Sequence, residues 1–218
     1  MKIDSRSYSA QCFYPAPEIY LNESEQLMVV ATSWGDRAEA RTAIDALRDL
    51  FLVTGDKDAT QHFSSSTSLD PLSQRLRSSV LSAHEQLFIS KNKDEYQAAV
   101  EILAMAWDQQ RNMSFARVGS PHLFFYSENI LHPLSYTMDT SFVWQQSAPL
   151  PSEVIGVEAS IRVQTGQFRA VPQSKIFLLS RSGISSSFFS AEKTMQELTR
   201  SLSSDQPEKP FWIAELTW

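Results

Sequence analysis

At 218 residues, 42% hydrophobic and 11% aromatic, the chain has the make-up of one folded domain rather than of a disordered segment. Its 19 basic and 25 acidic side chains leave a formal charge of −6, with no basic stripe to suit nucleic acid. The single Cys12 excludes an internal disulfide, the first residues lack an apolar signal core, and the longest apolar runs, 27–31 and 102–107, are far too short to span a bilayer. The expectation is a soluble, cytoplasmic protein with no nucleic-acid partner and no membrane insertion; its oligomeric state is unknown.

Residues 5–14 alternate weakly and predict a first, edge-like strand, ended by Pro15 and Pro17, which cannot donate to a ladder. Leu27-Met28-Val29-Val30-Ala31 predicts the next strand, running into the polar corner Thr32-Ser33-Trp34-Gly35-Asp36. A helix is expected over 37–53, because Ala40, Ala43, Ile44, Leu47, Leu50 and Phe51 fall on one face. Asp36 is placed to cap it and Gly55 to stop it. Residues 54–69 read as a serine-rich loop. Asp70-Pro71 then opens a second helix, with Pro71 at the first turn where its missing N–H costs nothing. Leu72, Leu76, Val80, Ala83, Leu87 and Phe88 trace its buried stripe to about Lys91.

From Tyr96 the pattern turns to β. Strands are expected over 98–107 and 111–118 around Asp108-Gln109-Gln110, then at 123–126 and, past the Glu128-Asn129 turn, at 130–131. Residues 137–151 are the least regular. Ile161 and Val163 alternate with Arg162 and Gln164, predicting a half-buried strand. Ile176-Phe177-Leu178-Leu179 is continuously apolar, as in a strand buried on both faces, and ends at Ser180-Arg181-Ser182-Gly183. These two strands are expected to be joined by a tight connection. A short helix over 191–203 and a last strand over 211–217 complete the chain. Together the elements predict an α+β fold over a single domain, 1–218: a four-layer αββα sandwich with two central antiparallel sheets flanked by helices. Strands 27–31 and 176–179 are expected to be central neighbours, with their polar corners at one end.

Set side by side, these landmarks resemble the metal-dependent Ser/Thr protein phosphatases of type 2C, the PPM family, over nearly the whole chain. That family opens on Arg-x-x-Asn-Glu-Asp, where this chain has Arg6-Ser7-Tyr8-Ser9-Ala10-Gln11. Its second strand ends in Asp-Gly-x-Gly-Gly, matched by Thr32-Ser33-Trp34-Gly35-Asp36. Its Val-Gly-Asp-Ser-Arg hairpin corresponds to Val118-Gly119-Ser120-Pro121-His122, and its Ser-Asp-Gly to Arg181-Ser182-Gly183. The final Asp-Asn falls near Glu208-Lys209. The resemblance implies two divalent metals, held by the aspartates, activating a water that attacks a phosphoserine or phosphothreonine. Hard dications want several oxygen ligands and carboxylates to offset their charge. Gln11, Thr32, Ser33 and Ser182 supply no carboxylate, and Glu208 alone is too few. Retained scaffold glycines Gly35, Gly119 and Gly183 around an emptied site are the pattern of a catalytically inactive pseudophosphatase, with no metal, no cofactor and a protein partner in signalling or regulation. Arg6 stands where the family keeps a phosphate-binding arginine, which holds an anion through a bidentate contact, but an ordinary surface arginine on an edge strand is the favoured reading.

The remaining chemistry is thin. His62, His84, His122 and His132 show no metal spacing, and the serine clusters lack a G-x-S-x-G elbow. Trp34 in the corner, with Phe142 and Trp144 in the irregular segment, are candidates for partner contact, since aromatic anchors dominate interfaces; Trp34 packed over the vacated pocket, and the 137–151 segment folded onto its own core, are equally good readings. Two alternatives stay open: an N-terminal-nucleophile hydrolase on a similar αββα sandwich, which would need processing to expose Cys12, and a phosphatase with unusual metal ligands.

Overall fold

The computed structural model describes residues 1–10, 14–54, 68–137, 151, 153–181, 183–190 and 193–217. The chain divides into two units, Pro17–Gly119 with Glu153–Ala170, and Met1–Ala16 with Ser120–Ser152 and Val171–Trp218. Strands β1 to β10 and helices α1 to α4 are numbered in chain order. No helix among the described residues is long and apolar enough to cross a membrane.

The unit holding Pro17–Gly119 carries β2 (Glu18–Asn22), β3 (Leu27–Ser33), β4 (Val100–Trp107), β5 (Asn112–Val118) and β8 (Gln164–Arg169), hydrogen-bonded in the order β2-β3-β4-β5-β8 and antiparallel throughout. Every residue of β3 is buried. Successive side chains leave opposite faces of a strand, so Leu27, Val29 and Ala31 meet Ile102, Ala104 and the helices α1 (Ala38–Val53) and α2 (Pro71–Lys91) in one core. The expected stripe of α1 is buried at Ala40, Ala43, Ile44, Leu47 and Phe51, while Leu50 is half-buried. Burying each Leu, Ile or Phe in such a stripe contributes about 1.5–3 kcal/mol, which is what holds an isolated-peptide-length helix in place. Helix α2 starts where expected, with the Asp70 carboxylate accepting from Leu72 N and Ser73 N at 3.0 and 3.1 Å and Pro71 at the first turn. Its end is fixed by Asn92, whose buried amide donates to Ala98 O (2.6 Å) and Gly156 O (2.5 Å) and accepts from Gln97 N (2.7 Å) and Ala98 N (2.9 Å).

The other unit carries β1 (Lys2–Tyr8), β6 (His122–Ser127), β7 (Ile130–Ser135), β9 (Lys175–Ser180) and β10 (Phe211–Thr217) in the order β1-β10-β9-β6-β7, again antiparallel. Phe124, Phe177, Leu179, Phe211 and Ile213 pack with Phe188 of α3 (Ser186–Ser190) and with Met195, Leu198 and Leu202 of α4 (Met195–Asp205). Thr194 caps α4 by accepting from Glu197 N at 3.2 Å.

Several expectations are corrected. The first strand is Lys2–Tyr8 rather than 5–14, and β2 is a strand with no expected counterpart. The alternation of Ile161 and Val163 belongs to irregular chain whose side chains pack on the α1–α2 core; the strand begins only at Gln164. The connection over 170–174 is short, closed by Ser174 N donating to Val171 O at 3.1 Å, but it joins strands of different sheets, β8 and β9. For the same reason strands 27–31 and 176–179 are not neighbours: β3 pairs with β2 and β4, and β9 pairs with β10 and β6. The late helix expected over 191–203 is α4, Met195–Asp205, and the short α3 before it has no expected counterpart. Helix α1 takes Arg37 as its formal cap residue without a side-chain cap bond; Asp36 helps one step earlier, accepting from Ala38 N at 3.0 Å.

Candidate functional site

The corner that ends β3 is built from its own short side chains. Ser33 Oγ donates to Asp36 O at 2.6 Å and closes the turn, while Trp34 N donates to Ala99 O at 2.8 Å. Gly35 is needed because a Cβ there would lie 2.8 Å from the Gln97 carbonyl oxygen. Trp34 is half-buried rather than displayed, and its indole N–H donates to Glu101 Oε2 at 2.8 Å.

The β-ladder register shows what that carboxylate belongs to. Thr32 lies opposite Glu101, Leu103 opposite Arg117, and Arg117 opposite Gln164. Directly paired residues share a face, and so do residues two apart. Thr32, Glu101, Arg117 and Gln164 therefore occupy one face of this sheet, the face turned away from α1 and α2. All but Gln164 are buried, Thr32 and Arg117 completely. Arg117 donates through Nη1 to Gly119 O and through Nη2 to Gln164 Oε1 at 2.8 Å. Burial lowers its pKa to about 10, against the pull of the Glu153 and Glu101 carboxylates, so it stays a cation at neutral pH. Thr32 Oγ1 and Glu153 Oε2 are buried without a hydrogen-bond partner. Gly119 (φ +72°) is pressed against this group: a Cβ there would stand 2.7 and 2.8 Å from Glu101 Cγ and Oε1.

The other unit holds Arg6 and Glu208. Arg6 is exposed on the edge strand β1, opposite Ile213. Glu208 is exposed in the turn before β10. It acts on Arg181, whose pKa burial lowers against the pull of Asp205 and Glu208. Arg181 is buried and donates to the α4 end, to Leu202 O at 3.1 Å and to Gln206 O and Oε1 at 3.3 and 3.1 Å, where a cation suits the helix dipole. Buried His122 stands between Arg181 O and Thr137 N, and His84 Nδ1 accepts from Gly156 N at 3.0 Å; both have structural work. Gln11, Cys12, His62, Phe142, Trp144 and Ser182 lie outside the described residues.

Glu101, Arg117, Glu153 and Gln164 were not singled out from sequence. The available signal was a lone charge set in an apolar strand, Glu101 before Ile102-Leu103 and Arg117 after Phe115-Ala116, since buried charges need partners.

No family model matches the chain, and no curated protein matches it in sequence. Solved structures do. The PPM Ser/Thr phosphatase MsPP from Mycobacterium smegmatis, solved with cacodylate, is 13% identical with a TM-score of 0.64, over 99% of this chain and 97% of its own. Stp1 from Staphylococcus aureus is 12% identical (TM-score 0.64; 100% and 95% covered). The catalytic domain of the phosphatase PstP, solved with two manganese ions, is 11% identical (TM-score 0.63; 98% and 96%).

A pair of dications does not fit the described residues. No group of three or more His, Cys, Asp or Glu side chains stands together among them. Thr32 offers a neutral hydroxyl, and the Glu101 carboxylate is already bonded to Trp34 and compensated by a fixed guanidinium. The chain thus has the α+β fold of the PPM-type Ser/Thr phosphatases, two five-stranded antiparallel sheets with flanking helices.

Proposed function

We propose that the protein is a pseudophosphatase: a cytoplasmic, phosphatase-like module that performs no phosphate hydrolysis and acts in signalling or regulation by binding another protein. The observation that carries this is the content of the β3 corner. The position that the resemblance sets against a metal-binding aspartate bears the buried Thr32, and its cross-strand partner Glu101 is bonded to Trp34 on the face it shares with Arg117. Without metal the attacking water keeps a pKa near that of bulk water and is a poor nucleophile at neutral pH. Trp34, Phe142 and Trp144 are the proposed partner contacts, and Arg6 an anion contact at most.

The test is release of phosphate from a phosphoserine peptide with Mn²⁺, against a chelator-treated control and a Thr32→Asp, Ser182→Asp variant. The unmodified protein should not exceed the control. Metal-dependent turnover by the unmodified protein would move it to the phosphatases with unusual ligands. Placement of the partner surface fails if Trp34→Ala and Trp144→Ala both fold and leave binding to an identified partner unchanged.

A further inference from the structure

We propose that the Arg117 guanidinium is the resident cation of this site: a positive charge carried by the chain itself, which holds the Glu101 and Glu153 carboxylates and closes the site to divalent ions. The inference rests on the reading of the site as metal-free and goes beyond it by naming what replaces the metal. Three observations support it. First, the ladder register sets Thr32, Glu101 and Arg117 on one face, with Thr32 at the motif position that the family reserves for a metal-binding aspartate. Second, Arg117 is completely buried, yet it faces two carboxylates and is tethered to Gly119 O and Gln164 Oε1, the arrangement a buried cation requires. Third, the group is packed to contact around a glycine: the Glu101 side chain occupies the space where a Cβ on Gly119 would stand.

Arginine is the right residue for such a substitution. Its charge persists at neutral pH even when burial lowers the pKa, and its planar fork can reach several oxygens at once. A dication entering the same group would meet a fixed positive charge within the same buried shell, where repulsion is weakly screened. Removing the guanidinium reverses the situation. Glu101, Glu153, Thr32 Oγ1 and the carbonyls of Gly119 and Glu153 would then form an oxygen-rich pocket with uncompensated negative charge, which is what a hard divalent cation binds.

The experiment compares the thermal melting of the wild type, Arg117→Gln and Arg117→Lys in EDTA and in millimolar MnCl₂. The wild type should melt at the same temperature in both. Arg117→Gln should melt roughly 6–20 °C lower in EDTA, the loss expected from breaking a buried ion pair in a chain of this size. Mn²⁺ should recover a clear part of that loss, because a ligand bound only by the folded state raises its melting temperature. Arg117→Lys, which keeps the charge, should remain insensitive to Mn²⁺. If Arg117→Gln does not fold in EDTA, the yield of refolding from denaturant with and without Mn²⁺ is read instead. An Arg117→Gln protein that responds to Mn²⁺ no more than the wild type, by melting or by refolding, overturns the inference. So does a wild type that Mn²⁺ stabilises; if that protein still hydrolyses no phosphopeptide, the proposed function survives while this inference falls.

Discussion

Gly119 is the position where the account of the site can be tested by a single methyl group. Its φ is +72°, and an alanine Cβ would stand 2.7 and 2.8 Å from Glu101 Cγ and Oε1, and closest of all to the Glu153 carbonyl oxygen. Holding an alanine in the left-handed region costs about 1–2 kcal/mol. Forcing an atom into a filled interior adds about 1–3 kcal/mol, and a backbone carbonyl cannot swing aside as the tip of a long side chain can. Gly119→Ala should therefore lose about 2–5 kcal/mol, read as a lower urea midpoint at unchanged slope. In a Glu101→Ala background the same change should cost less, since two of the three close atoms are gone, and the non-additivity is a direct measure of the packing between them. A loss under about 1 kcal/mol, or full additivity of the two substitutions, would refute the contact on which the buried group depends.

Asn92→Ala removes four short hydrogen bonds at the end of α2, three of them buried, and should destabilise by about 3–5 kcal/mol in denaturant titration, of which no single bond would account for more than a part. Trp34→Phe keeps a ring in the corner but deletes the N–H donated to Glu101; a loss of about 1–3 kcal/mol in the same assay is expected, and no change would show that bond to be idle. Burial lowers the His84 pKa below its ordinary value near 6.5, so the unfolded chain binds the proton more readily than the folded one. The stabilisation is fully present above pH 6.5 and is lost as pH falls toward the depressed folded value. Melting temperature should thus drop on acidification from pH 7 to pH 5, and His84→Asn should flatten that slope; an equal slope in both proteins would contradict it.

What the sequence revealed follows from which physics is local. Helices α1 and α2 were legible because their stripes repeat at helical spacing and Asp70-Pro71 marks a start without help from the rest of the fold. Strands β3, β9 and β10 were legible as apolar runs bounded by polar corners. Sheet membership was not, because a run such as 176–179 looks the same whichever strands it pairs with, and neither β3 nor β9 carries a mark of its sheet. β2 escaped notice as a five-residue strand, one residue exposed and four half-buried, just after Pro17, and β8 was expected to start three residues early, at Ile161, because its own residues are polar and its Gly166 is kept bare by the Phe115 ring. The same division holds at the site. Thr32, Ser33 and Gly35 were found because a motif places them in sequence. Glu101 and Arg117 stand far from Thr32 along the chain, and only the ladder register brings the three onto one face. Trp34 takes the packed reading rather than the displayed one: it is half-buried and donates its N–H to Glu101.

The most direct measurement is calorimetric titration of MnCl₂ into the purified, chelator-stripped protein. The catalytic domain of PstP, which shares this fold, was solved with two manganese ions. With Thr32 offering only a hydroxyl, Glu101 engaged by Trp34, and the proposed Arg117 cation on the same face, the prediction is no saturable heat up to millimolar Mn²⁺. Saturable binding approaching two ions per chain would contradict the account at its centre.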